Sequence, residues 1–154
     1  MYSITQLEVA LDAAKTVIDS RTKSADRFIR GYNDCFAFLL EYERALRGDL
    51  SLSKDITLSY NDSDEFLQGI HEQLGYSNLI KFTLAMKFKP VKDRKPETGD
   101  IAFDIQQGIG GAMIAGDNYW FSADSRNKGV KPQRRFLPKE ITLQLHARPI
   151  YLGE

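Results

Sequence analysis

The hydrophobic pattern changes period part-way along the chain, and that change limits the folds open to it. Up to about residue 88, apolar residues recur at spacings of three and four. After Pro96 they alternate, or gather in short runs broken by glycine, asparagine and aspartate. The first pattern belongs to helices with a buried stripe, the second to short strands joined by tight turns. Helices followed by an antiparallel meander predict an α+β fold in one domain, 1–154, with a helical part at 5–88 and a sheet part at 99–152. A chain of 154 residues is long enough to bury about 70% of its unfolded surface.

In the first half, Thr5-Gln6-Leu7-Glu8 reads as a capping box, and Leu7, Ala10, Leu11, Ala14, Val17 and Ile18 follow as one buried stripe. Ser20 to Arg30 is polar enough to be a connector, with Phe28 as its anchor. Asn33 or Asp34 can cap a second helix carrying Cys35, Phe38, Leu39, Tyr42 and Leu46, ended by Gly48. Glu41, Glu43, Arg44 and Arg47 are assigned to its wetter side. The bulk along this stripe marks it as the central helix. Asp49 to Ser63 reads as a loop, and Ser63 as the cap of a third helix with Phe66, Leu67, Ile70 and Leu74 inward and Gly75 at its end. Residues 79–88 fit a strand or a short helix; the reading adopted is a helix followed by extended chain.

In the second half, Ile101 to Ile105, Ala112 to Ala115 and Tyr119 to Ala123 read as strands, with Gly116-Asp117-Asn118 as a hairpin turn. Gly108, Gly110 and Gly111 break the pattern between the first two. Ser125 to Lys128 turns, Pro132 to Pro138 connects, and Ile141 to Leu152 supplies one or two last strands.

Charge narrows the function. Lys plus Arg and Asp plus Glu both number 21, so the net charge is zero, without the basic excess of a nucleic-acid-binding domain. Lys87 to Lys95 reads as a solvated loop rather than a phosphate-binding patch. No stretch approaches the roughly 18 apolar residues needed to span a bilayer, so no membrane insertion is expected. The first twenty residues show no signal-peptide core, and the one cysteine, Cys35, allows no intramolecular disulfide; both suit synthesis in a reducing cytoplasm. Export would then be by lysis or within a particle.

Cys35 is the residue with chemical promise. A thiol at a helix N-terminus is more easily ionised and so more nucleophilic. Core packing is the commoner role of a cysteine on an apolar stripe. Two histidines are available as bases, His71 on the third helix and His146 in the last strand region. Asp34 reads as a helix cap whose charge opposes thiolate formation. Two histidines and one cysteine, far apart, give no zinc-ligand spacing. The glycines at 108–111 do not precede a helix, so no phosphate loop or other cofactor site is expected. A carboxylate pair among Asp100, Asp104, Asp117 and Asp124 is more simply read as turn chemistry. Tyr119-Trp120-Phe121 reads as hairpin core with one exposed ring, or as a sugar platform.

Phe28-Ile29-Arg30-Gly31-Tyr32-Asn33-Asp34-Cys35, followed by Leu46-Arg47-Gly48-Asp49, resembles a segment of small phage-encoded proteins related to the NlpC-type cell-wall cysteine peptidases, which have a papain-like fold. Gly99-Asp100-Ile101-Ala102-Phe103 is similar to that family's Gly-Asp strand start, and Ala112 to Phe121 to its next hairpin. The resemblance covers residues 5 to 150 in order. It implies N-terminal helices packed on an antiparallel sheet, and a place in a phage tail tip. In active members the strand before that hairpin opens with the histidine that serves the cysteine as base. Here the corresponding stretch is Gly108-Ile109-Gly110-Gly111. A thiol nucleophile needs a proton acceptor and its leaving amine a donor, and glycine is neither.

Three functions follow as expectations. The first is a structural or assembly protein of a phage tail, resident in the virion and docked on other tail proteins, with a peptidase-like fold, no catalytic residues and no cofactor. The second is an active cysteine hydrolase of host cell-wall peptide, with Cys35 as nucleophile and His146 as candidate base. The third is a small partner-binding domain unrelated to phages. With no net charge to steer association, docking is expected to rest on shape and apolar contacts, around Trp120.

Overall fold

A computed structural model describes residues 1–57, 59–61, 63–76, 79–91, 95–103, 112–124, 126–135 and 145–153. Helix α1 runs Ile4–Ala25. Its capping box is Ser3 with Gln6, two residues earlier than the sequence pattern placed it: Ser3 Oγ accepts from the Gln6 amide at 3.1 Å, and Gln6 Oε1 from the Ser3 amide at 2.8 Å. Ala10, Leu11, Ala14 and Ile18 are buried as expected. The helix continues through residues expected to be a connector. Thr22 is buried, its hydroxyl donating to Ile18 O at 2.8 Å, and Arg21 reaches Glu41 at 2.8 Å, so this last stretch is held by polar rather than apolar contacts.

Helix α2, Cys35–Arg47, is capped by Asp34, whose carboxylate accepts from the Ala37 amide at 2.9 Å. It is buried on nearly every side and packs against α1 and the sheet. That corrects the assignment of Glu43 and Arg47 to a wet face: they are 2% and 5% exposed. Each is held by groups outside the helix. Glu43 accepts from the amides of Leu52 (2.6 Å) and Ser53 (3.2 Å) and from the hydroxyls of Ser51 and Ser53. Arg47 donates to the carbonyls of Met86, Lys87 and Ile150 and lies over the Phe88 ring. A single 3₁₀ turn, Gly48–Leu50, follows.

Helices α3 (Ser63–Leu74) and α4 (Leu79–Ala85) pack on α2 around the Phe36 ring. Phe36 meets Phe66 edge-on at 4.4 Å and Phe82 at 5.7 Å, and burying an aromatic of this size contributes about 1.5–3 kcal/mol. The chain then becomes extended, as expected, in β1, Phe88–Pro90.

Strands β2 (Ile101–Phe103), β3 (Ala112–Ala115), β4 (Tyr119–Ala123), β5 (Val130–Arg135) and β6 (Leu145–Pro149) complete a six-stranded antiparallel sheet in the order β1-β6-β2-β3-β4-β5. The fold is therefore mixed α+β. Phe88–Pro90, part of the stretch read as a solvated loop, is an edge strand paired with β6. Val130–Arg135 is likewise a strand, although the chain from Pro132 onward was expected to connect. Pro132 is compatible because β5 is the other edge, where a missing N–H breaks no ladder. The β3–β4 turn places Asn118 at φ 64°, as its sequence requires.

Strand alternation divides the sheet into two faces. Ile101, Phe103, Ala112, Ile114 and Ala147 join the core around α2. Ala102, Met113, Ala115 and Trp120 form a separate buried cluster on the other face. Trp120 is fully buried, which removes it as a docking ring; Tyr119 beside it is 39% exposed. No helix among the described residues is long and apolar enough to cross a membrane.

Candidate functional site

The chain reaches α2 through a tight turn that fixes the first residue of the helix. The Tyr32 and Asn33 amides both donate to Ile29 O at 3.1 Å, with Gly31 at φ 82°. The Asn33 side chain ties the turn internally, accepting from the Ile29 amide at 2.7 Å and donating to Arg27 O at 2.9 Å. Asp34 follows with one carboxylate oxygen accepting from the Ala37 amide and the other from the Tyr60 hydroxyl. Burial pushes the Asp34 carboxyl above its ordinary range, against the hydrogen bonds that favour its charge.

Cys35 comes next, 6% exposed and inside the core, its thiol against the backbone of Ala112 at the start of β3. Burial, with the neighbouring Asp34 charge adding to it, pushes the thiol up to about 12. Hydrogen bonding from the backbone of Ala112, Cys35 and Phe36 acts in the opposite direction and is outweighed. The helix N-terminus, which from sequence alone favours a thiolate, is here overridden by desolvation.

Neither histidine is brought to this thiol. His71 is exposed on α3. His146 stands on β6 opposite Ala102, and so on the face that carries Trp120 rather than the face that carries α2 and Cys35. Its Nε2 lies 2.6 Å from Asp100 Oδ2, and its ring meets Trp120 edge-on at 5.7 Å. Asp100, 1% exposed, also accepts from Arg148 Nε at 2.9 Å and from the Glu97 amide at 2.9 Å. Arg148 in turn donates to Lys95 O at 3.0 Å. His146 is thus part of an ion-paired network pinning the 95–100 segment to the sheet. On the other face, Tyr42 secures the same segment by donating from its hydroxyl to Gly99 O at 2.7 Å.

Residues 108–111, where the family resemblance would put a base, lie outside the described residues, as does Asp104. Among the described residues no three His, Cys, Asp or Glu side chains are gathered for a metal ion. Asp117 sits in the exposed β3–β4 turn. Asp124 is engaged locally with Arg126, whose hydrogen bonds lower its carboxyl to about 2.

A second polar constellation was not anticipated from sequence. Glu41 Oε1 accepts from both Arg21 and Arg44 at 2.8 Å, joining α1 to α2. Arg44 further donates to Ser53 O and Ile56 O at 2.7 and 2.6 Å. Beside them, Arg21, Tyr32, Phe36, Leu40, Arg44 and Ile56 line an open cleft of about 160 Å3. The signal available was weak: Glu41 and Arg44 are one turn apart, but nothing local pairs them with Arg21. No protein-family model matches the chain, no curated protein matches it, and no solved structure does.

Proposed function

We propose that this chain is a non-catalytic structural or assembly component of a phage tail, built on a papain-like framework whose helix-start cysteine serves packing. The observation that carries the reading is the state of Cys35: buried, its thiol held near 12, beside an acid and on the opposite sheet face from His146. A cysteine hydrolase needs the reverse of each condition, namely access, a thiolate and a base within hydrogen-bond reach. The order of elements agrees with the framework, a cysteine-headed helix laid on an antiparallel sheet. The tail setting rests on the sequence resemblance through Asp34-Cys35, Gly48-Asp49 and Gly99-Asp100. With zero net charge and Trp120 buried, docking on other tail proteins falls to exposed apolar side chains such as Ile80 and Leu84, one turn apart on α4.

Mass spectrometry of purified particles of the encoding phage tests the reading. Peptides of this chain are expected at a fixed ratio to the tail proteins, and purified protein is expected to release no soluble fragments from peptidoglycan. Absence from the particles, or fragment release that is lost in Cys35→Ala, would overturn it.

A further inference from the structure

The cleft between α1, α2 and the loop after the 3₁₀ turn has the composition of a binding pocket. Its floor is apolar, made by Phe36, Leu40 and Ile56, and its rim carries the guanidinium groups of Arg21 and Arg44. Two arginines share one carboxylate, Glu41, which leaves the rim with a surplus positive charge. The two guanidinium groups differ in what they have left to offer. Arg44 is committed to Glu41 and to the Ser53 and Ile56 carbonyls, and so acts as a clamp on the loop wall. Arg21 uses N–H donors on Tyr32 O and Glu41, two among the described residues of the five a guanidinium carries. Its Cζ lies over the Tyr32 ring, 5.2 Å from the centroid, and both arginine side chains keep about a quarter of their surface in solvent, 28% and 26%. The donors of Arg21 are therefore oriented before any ligand arrives, which lowers the ordering cost of binding.

Size restricts the occupant. About 160 Å3 is close to the ~150 Å3 engineered cavity that accepts benzene, and below the ~300 Å3 at which drug-sized ligand pockets begin. A phenyl-sized group fits in it.

We propose that this cleft binds a carboxylate carried on a phenyl-sized apolar group, with the carboxylate on Arg21 and the ring against Phe36, Leu40 and Ile56. Such a group is offered either by a small aromatic acid or by the C-terminal residue of a partner chain. The proposal does not rest on the tail-scaffold reading, because the lining of the cleft does not include Cys35.

The test is a titration followed by amide chemical shifts in the full chain, with 3-phenylpropionate, the neutral 3-phenylpropanol, and pentapeptides ending in phenylalanine as free acid or as amide. Saturable shifts at Gly31, Tyr32, Ala37 and Thr57 are expected with the acids. The alcohol and the amide should bind at least about tenfold more weakly, the scale of a lost hydrogen bond to a charged group. Tighter binding of the free-acid peptide than of 3-phenylpropionate would identify a chain end as the source, and the reverse a small acid. Arg21→Gln, checked for native shift dispersion, should weaken both acids to the level of the alcohol. Equal binding of acid and alcohol, or no saturable shift at these amides, would overturn the proposal without touching the particle and peptidoglycan tests of the scaffold reading.

Discussion

Replacing Glu43 should cost more stability than any exposed charge in the chain. The carboxylate is 2% exposed and accepts from two backbone amides and two hydroxyls of residues 51–53, so it organises that loop from inside the core. Glu43→Ala removes their shared acceptor, leaving the Ser53 amide with Ser51 Oγ at 3.2 Å and the Ser53 hydroxyl with Leu40 O at 3.4 Å. Leu52 is 40% exposed and its amide only part-buried, so water can recover part of the loss at that end, whereas Ser51 and Ser53 are buried. Hydrogen bonds to a charged group contribute about 1.5–3 kcal/mol each, and an orphaned buried donor costs about 1–3 kcal/mol; with partial rescue the expected total is about 3 kcal/mol. Glu43→Gln keeps the shape and one acceptor oxygen but turns an amide N–H₂ toward donors, and should cost about half as much. Urea unfolding, read at constant slope, measures both. A Glu43→Ala loss below about 1 kcal/mol, or a Gln variant worse than Ala, would refute the reasoning.

Other consequences are equally specific. Gly99→Ala should destabilise by about 2–3 kcal/mol in the same assay, because φ is 91° and a Cβ would lie 2.7 Å from Leu7 Cδ2 and 2.9 Å from the Tyr42 hydroxyl. His146→Ala should lower stability by about 2 kcal/mol without altering thiol reactivity, since it leaves Asp100 with Arg148 and the Glu97 amide and acts on the opposite sheet face. The Cys35 thiol gives stability a pH dependence at alkaline pH. Below about pH 9.0 it is protonated in both states; between 9.0 and about 12 the unfolded chain releases the proton and the folded chain keeps it. Stability should fall with rising pH across that window, more steeply than in Cys35→Ala.

The course of α2 and α3 was legible because each carries its own signals. Asp34, Gly48 and Gly75 punctuate, and Phe38, Phe66 and Ile70 keep the helical period, so α2 and α3 stand where expected. Partners far apart in sequence were not legible. Glu43 and Arg47 look like surface residues until Ser51, Ser53, Met86 and Ile150 supply their hydrogen bonds, and no periodicity reports that. Pro132 argued against a strand because sequence does not say which strand is at the edge. Trp120 is inside because its side of the sheet is also covered, a fact of tertiary packing. The same limit applies to the site. The position of Cys35 at a helix start was readable, but whether helix dipole or desolvation governs its thiol depends on what packs above it, and Ala112 is 77 residues away.

The central claim is tested most directly by alkylating Cys35 in the folded protein as a function of pH, which is clean because the chain has no other thiol. A thiol near 12 rather than 9.0 holds about a thousandfold less thiolate at neutral pH, and burial slows access further. The account predicts labelling at neutral pH only as fast as the chain unfolds, and rapid modification in denaturant. Rapid labelling of the native protein, titrating below about 8.5, would mean an accessible, activated thiol and would contradict the reading of Cys35 as a packing residue.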